Sequence, residues 1–371
     1  MSDINITKKT KRNILTDIVR GLAVILVVWG HCIQEGNGAA FSAEMMYFDD
    51  RLYQLIYSFH MPLFALIAGY YAYVSVLKAR TDKDRRSLLL RRVITLLIPI
   101  VFWTVCEFIR NLILLNKAGV PNEGGIKLIV NLCLAIITNH WFLWAMIICF
   151  VIVWFVHFYL KDSLLVYIVI FVLSLFTPDG MNMQAYKFLL PYYVIAFYYA
   201  SYMSKKADRE DGDHTGVIDK LSYMYEQKKG ICAIVLIAVF AVLFVFYNRD
   251  SFVYVSGYRI TKGIWYVQLI RDIYRFMIGL IGSICVISIC DIVTRLIKGY
   301  SFPVLTLFGR YSLGVYIISG YLILLVLRIY TDPLNPNDLR ASIEAIAIAA
   351  VSVALSFAIA KVPVLKKIIG K

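Results

Sequence analysis

Apolar residues in this chain neither alternate with polar ones nor mark a single stripe of a helix. They run on with few interruptions for stretches of about 20 residues, the length a helix needs to cross roughly 30 Å of hydrocarbon. Short segments of alternating polarity, the mark of a β-barrel, are not what the sequence offers. Ten runs predict membrane-spanning helices, at 13–33, 52–77, 92–115, 141–160, 163–177, 186–204, 231–247, 272–293, 304–328 and 342–361. The run at 126–138 is too short for an ordinary span and reads as a half-helix or a re-entrant piece, which a bilayer admits only where protein buries it. The expected fold is therefore all-α, a polytopic integral membrane helical bundle forming one domain over residues 1–371.

The polar connections orient these spans. With the N-terminus inside, the cytoplasmic segments are 8–12, 78–92, 161, 205–229, 295–298 and 361–371, holding about 24 Lys and Arg against about 10 on the other side. The opposite orientation inverts that bias, so both termini are expected in the cytoplasm, with a basic N-terminus at 1–12, a solvated loop at 205–230 and a basic tail at 362–371. The apolar run after Arg20 continues into Trp29, Gly30 and His31 without a small-residue cleavage site, so it is expected to stay as the first span rather than be removed as a signal peptide.

Composition agrees with the pattern. Hydrophobic residues make up 60% of the chain and charged residues 17%, with a mean hydropathy of +0.73, whereas soluble domains carry about 45–50% and about 25%. A net charge of +14 would suit a nucleic-acid partner, but the basic residues sit in the short connections, where topology accounts for them. Seven cysteines form no CxxC pair and fall mainly within apolar runs, which argues for packing rather than for disulfides or a metal.

Charge inside a bilayer is costly and marks candidate chemistry. The first span carries Asp17, Arg20 and His31. Arg20 and His31 are eleven residues apart, about three helical turns plus 20°, so they share one face about 16 Å apart along the axis. Asp17 lies one turn from Arg20 and can neutralise it, and Glu35 lies one turn beyond His31 and can orient its ring. The alternative is a snorkelling Arg20, a solvated His31 near a helix end and a headgroup-exposed Glu35. His31 is the best general base in the span, because an imidazole exchanges its proton near neutral pH. His60 precedes Met61 and Pro62, where it either takes part in chemistry or satisfies carbonyls freed by the proline. His140 is a further candidate, His157 reads as structural and His214 as solvated. Glu107 with Arg110, and Asp272 with Arg275, stand one turn apart and are expected to pair internally. The aromatic-rich stretch 248–271 reads as an interfacial belt or as a surface on which a sugar stacks.

Asp17, Arg20, Gly21 and His31, in that spacing, resemble the first helix of the acyltransferase 3 family of membrane acyltransferases. Ser58, Phe59, His60, Met61, Pro62, Leu63 and Phe64, followed by Ala68, Gly69 and Tyr70, are similar to its second-helix signature, especially in the branch that modifies exopolysaccharides and cell-surface sugars. Arg91 to Pro99 resembles its basic entry to the third helix; His140, Trp141, Phe142, Leu143 and Trp144 resemble its Trp-Phe-Leu motif. The stretch from Phe308 through Gly309 and Arg310 to Tyr316 resembles its late motif, although Ile317, Ile318 and Ser319 stand where many members place a histidine. The motifs keep family order and cover nearly the whole chain.

The resemblance implies transfer of an acyl group, usually acetyl from acetyl-coenzyme A, to a hydroxyl of a glycan or lipid-linked sugar. The donor is a substrate, with no permanently bound cofactor expected. An alcohol is a weak nucleophile, so a base must take its proton as it attacks the thioester; His31 would be that base or would hold the acyl group itself. Arg20 could steer a phosphate or the donor's polar arm. Arg85, Arg86, Arg91 and Arg92 could hold the coenzyme's phosphates, or mark the cytoplasmic side and nothing more. His60, His140 and Trp141 are possible positioning residues. Expected partners are the bilayer, acyl-coenzyme A, the glycan acceptor and possible further copies of the chain, in the plasma membrane. Two other classes fit part of the pattern: an exporter or flippase of a polysaccharide intermediate with His31 in a proton pathway, and a scaffold without catalysis, which leaves the Arg20–His31 alignment without a role.

Overall fold

Local sequence sets where the principal helices start. Thr81 and Asp84 form a reciprocal capping box, the Thr81 hydroxyl accepting from the Asp84 amide at 3.1 Å and the Asp84 carboxylate from the Thr81 amide at 3.1 Å. Asp50 caps a second helix through the Tyr53 amide at 2.7 Å, and Asn337 a third through the amides of Leu339 and Arg340. The computed structural model describes residues 14–119, 124–207, 217–261, 263–297, 302–330 and 337–371, and no strand occurs among the described residues.

In chain order the helices are α1 (Ile14–Gly36), α2 (Ala39–Ala43), α3 (Arg51–Val76), α4 (Asp82–Lys117), α5 (Gly125–Thr138), α6 (Trp141–Tyr159), α7 (Leu164–Ser174) and α8 (Met183–Ala207). There follow α9 (Val217–Gln227), α10 (Lys229–Val245), α11 (Val253–Ser256), α12 (Trp265–Leu296), α13 (Pro303–Arg310), α14 (Ser312–Tyr330) and α15 (Asp338–Ala360). Six of them, α1, α3, α4, α6, α12 and α15, are long and apolar enough to cross a bilayer, and α13 with α14 forms a seventh candidate bent by 81°. The stretches expected to span at 163–177 and 231–247 hold shorter apolar helices of 11 and 17 residues, α7 giving way before Pro178.

Helix α1 sits at the centre, packed on α3, α12, α13, α14 and α15. Its residues Ala23, Val24, Val27 and Val28 are all 1% exposed or less. Close approach needs glycine at two crossings. A Cβ at Gly309 would collide with the backbone carbonyl of Asp17, and one at Gly69 with that of Tyr193, so α13 lies directly on α1 and α3 on α8. Large apolar side chains point outward elsewhere, Ile234 at 67% and Ile346 at 72% among them, as expected where the solvent is lipid.

Three stretches gain detail. The piece at 126–138 is a short regular helix, α5, as the half-helix reading expected; it has no buried residue and Ile126 is 84% exposed, so protein does not enclose it as the re-entrant alternative requires. Its backbone is satisfied by its own helical bonds, and its apolar side chains face outward. The expected loop at 205–230 contains helix α9; His214 lies outside the described residues. The basic tail forms a 3-10 turn, Leu365–Ile369, with Ile369 buried and the Ile368 carbonyl accepting from Trp103 Nε1 at 2.9 Å.

Candidate active site

Gly30 lets α1 and α3 meet closely at the level of the first-span histidine: a Cβ there would lie 2.6 Å from the Tyr57 ring. Next to that contact, His31 has Gln34, Glu35 and His60 as electrostatic neighbours. Glu35 is buried, accepting from Gln34 Nε2 at 3.2 Å and from Ser42 Oγ at 3.4 Å, rather than lying exposed among headgroups. His60 is fully buried, its Nδ1 is 2.8 Å from the Ile56 carbonyl, and its Nε2 has no hydrogen-bond partner. The carbonyl that Pro62 leaves without its helical donor is that of Ser58, four residues back, so His60 is not engaged in repairing the proline break. A carbonyl only accepts, so Nδ1 carries the hydrogen and Nε2 a lone pair. His31 of α1 and His60 of α3 thus lie within electrostatic range of each other, with the Tyr57 ring edge-on to His60 at 4.4 Å.

Aromatic side chains of α6, α11 and α14 gather near Tyr57. Trp141 at the start of α6 lies 5.8 Å from Tyr254 of α11, and Phe142 lies 5.8 Å from Tyr316 of α14. A small cavity of about 30 Å³ is lined by Tyr57, Trp141, Tyr254 and Arg275 among others. Arg275 is 2% exposed, pairs with Asp272 at 2.9 Å as expected, and donates to the Gly257 carbonyl at 2.5 Å and to the Ser256 hydroxyl. A second contact, Arg249 with Asp49 at 2.8 Å, ties the same segment to the turn before α3. Part of the stretch 248–271 is therefore folded over the helix bundle and supplies Tyr254 to the site.

At the opposite end of α1, Asp17 is buried and the Arg20 guanidinium lies 4.4 Å from the centre of the Tyr71 ring. Arg92 reaches the same helix, donating through Nη2 to Ser75 Oγ at 2.6 Å. Helical geometry divides the expected arginine cluster. Arg85 and Arg92 are seven residues apart, about 20° short of two full turns, and both pack against α6, on Phe158 at 4.8 Å and Phe150 at 5.6 Å. Arg86 and Arg91 are exposed and line an open groove of about 700 Å³ with Lys83. The four do not converge on one point.

His140 and Glu107 are brought together where the sequence offered no link: Glu107 Oε1 lies 3.8 Å from His140 Nε2. Glu107 and Arg110 are electrostatic neighbours, as their spacing suggested, without an ion-pair contact within 4.0 Å, and Glu107 Oε2 also accepts from Asn139 Nδ2 at 3.1 Å. His157 Nδ1 lies 2.7 Å from Asp162 Oδ2. Sequence reasoning missed Tyr57 and Tyr316. Tyr57 had a signal, since it lies one turn before His60 on the same face; Tyr316 had none beyond its place in the late motif.

A family model described as an acyltransferase domain matches residues 15–361. The chain is 26% identical over 196 residues to nodulation protein NolL of Mesorhizobium japonicum, covering 51% of this chain and 48% of that protein. It is 26% identical over 199 residues to nodulation protein NolL of Sinorhizobium fredii, covering 53% and 51%. The chain spans about half the length of the curated relatives it matches. No solved structure matches it.

Proposed function

The chain belongs to this family of acyltransferases, and on that premise we propose that it is an O-acetyltransferase of the plasma membrane. It moves acetyl from acetyl-coenzyme A to a hydroxyl of a cell-surface glycan or lipid-linked sugar. Its spans number about ten, with the donor side and both termini in the cytoplasm.

The observation that carries this reading is the pair of imidazoles at the α1–α3 contact, with the His60 Nε2 lone pair buried and unengaged. His31 takes the hydroxyl proton as the alcohol oxygen attacks the thioester carbonyl. The tetrahedral intermediate collapses, the carbon–sulfur bond breaks, and the thiolate of coenzyme A receives the proton back from His31. Glu35 orients the His31 ring, and His60 holds it from the other side. Arg20, neutralised in part by Asp17, and Arg92 border the same stretch of α3, Tyr71 to Ser75, on the cytoplasmic approach and suit the donor's phosphates. Arg85 lies one face with Arg92, whereas Arg86 and Arg91 serve chiefly to hold the topology.

The test is turnover. Purified protein in lipid nanodiscs, given radiolabelled acetyl-coenzyme A and carbohydrate extracted from cells that lack the protein, transfers label to the carbohydrate. Label left entirely on coenzyme A over many enzyme equivalents of time overturns the reading.

A further inference from the structure

Glu107, Arg110 and His140 have no part in the chemistry just described. Glu107 and Arg110 stand one turn apart on α4, and His140 occupies the junction between α5 and α6. There His140 takes φ 51 and ψ 38, the left-handed region. Its carbonyl accepts from the Leu143 amide at 2.9 Å, which starts α6. The side chains of His140 and Glu107 are 10% and 12% exposed, and Asn139 Nδ2 holds Glu107 through Oε2 at 3.1 Å.

The 3.8 Å between Glu107 Oε1 and His140 Nε2 is too long for a hydrogen bond, and His140 Nε2 has no other partner. Arg110 adds two buried nitrogens, Nε and Nη1, without a partner, while its Nη2 donates to Asn111 at 3.0 Å and its guanidinium lies 5.6 Å from the Tyr321 ring centre. Buried polar atoms without partners are scarce because each forfeits its hydrogen bond with water. Three of them beside one carboxylate mark a place built for a ligand.

We infer that Glu107, Arg110 and His140 form the subsite that holds the acceptor, and that its ligand is a neutral, hydroxyl-rich sugar. A hydroxyl both donates and accepts. Set between the two side chains, it accepts from His140 Nε2 and donates to Glu107 Oε1, bridging a gap that neither closes alone. Arg110 then donates to a second sugar oxygen. A free anion meets the Glu107 carboxylate and a free cation the Arg110 guanidinium, so mixed charge selects a neutral polyol over either. The subsite is joined to the imidazole pair by two phenols: Tyr316 has Tyr57 and Glu107 as electrostatic neighbours, and Tyr57 is edge-on to His60 at 4.4 Å. Trp141, next in the chain to His140, offers a ring face of the kind that packs on a sugar's apolar side. This assignment rests on the acyl-transfer reading and adds where the acceptor is held.

The experiment is steady-state kinetics in nanodiscs with acetyl-coenzyme A and, as acceptor, carbohydrate extracted from cells that lack the protein. Glu107→Gln keeps size and removes charge, and His140→Asn keeps a residue that tolerates the left-handed backbone. Each is expected to raise the acceptor KM at least tenfold and to move the KM for acetyl-coenzyme A less than twofold, with Glu107→Asp intermediate. Both acceptor KM values within twofold of the parent overturn the subsite and leave the acyl-transfer reading standing. Equal losses for donor and acceptor in properly inserted variants also overturn it, since they indicate a shared structural role. No transfer by the parent protein sinks both.

Discussion

His60 donates its Nδ1 hydrogen to the carbonyl of Ile56 at 2.8 Å, one turn back on the same helix. That bond decides which ring nitrogen carries a hydrogen and leaves Nε2 with a lone pair, buried and without a hydrogen-bond partner, on a ring that His31 influences electrostatically. The second-helix motif therefore contributes an imidazole with a fixed tautomer, and the first-helix motif contributes the imidazole to which the proposed mechanism gives the substrate proton.

His60→Ala is expected to lower kcat about 10- to 100-fold, a smaller loss than at His31, because it removes a neighbour that positions the base. The KM for acetyl-coenzyme A stays close to the parent's. Unchanged kcat in a well-inserted variant assigns His60 to packing alone.

The division of the arginine cluster predicts unequal effects at residues close in sequence. Arg92→Ala is expected to raise the donor KM at least tenfold, and Arg92→Lys to restore it poorly, since a point charge does not reproduce the planar fork. The exposed pair Arg86→Ala/Arg91→Ala is expected to change it less than threefold. Equal effects at both pairs, measured by initial rates against donor concentration, contradict the assignment.

Much of this arrangement was legible in the sequence. Long apolar runs located the principal helices because a bilayer demands roughly 20 apolar residues per span. Helical periodicity put Asp17, Arg20 and His31 on one face. Contacts between distant segments were not legible. Nothing in the spacing of Glu107 indicated that Asn139 and His140 would meet it 32 and 33 residues later in addition to Arg110, since that meeting depends on the backbone turn at His140. The arginine cluster misled for the opposite reason: neighbours in sequence point to different faces of a helix. Of the two readings of 126–138 the half-helix holds and the enclosed re-entrant piece does not, because shortness alone does not imply burial; α5 satisfies its own backbone and has no buried residue.

Topology is open to direct labelling. Single cysteines placed in the 78–92 segment and in the 361–371 tail of a cysteine-free background are expected to react with impermeant maleimide only after the membrane is opened. A cysteine at Asp250 is expected to react from outside in intact cells. Reversed accessibility at any of these positions contradicts a cytoplasmic donor side.

Asp50 gives a pH dependence. Burial, together with the nearby Asp338 carboxylate, raises its carboxyl above the ordinary aspartate range, although the Tyr53 amide opposes the shift. Its contribution to stability is complete below the unfolded value of about 3.9 and is lost as pH rises through the raised value. Asp50→Asn keeps an oxygen for the Tyr53 amide and cannot ionise. Its melting temperature is expected to match or exceed the parent's at pH 7, with the advantage shrinking toward pH 4. A difference that stays constant across this range contradicts the account.

The central claim is that His31 takes the proton from the acceptor hydroxyl. The most direct measurement is the kcat for acetyl transfer from radiolabelled acetyl-coenzyme A by His31→Ala in nanodiscs, alongside its donor binding. The account predicts a loss of about 10²–10⁴-fold or more in kcat with donor binding retained. Turnover within about tenfold of the parent, in protein that inserts and binds the donor normally, contradicts it and shifts the role of base to His60.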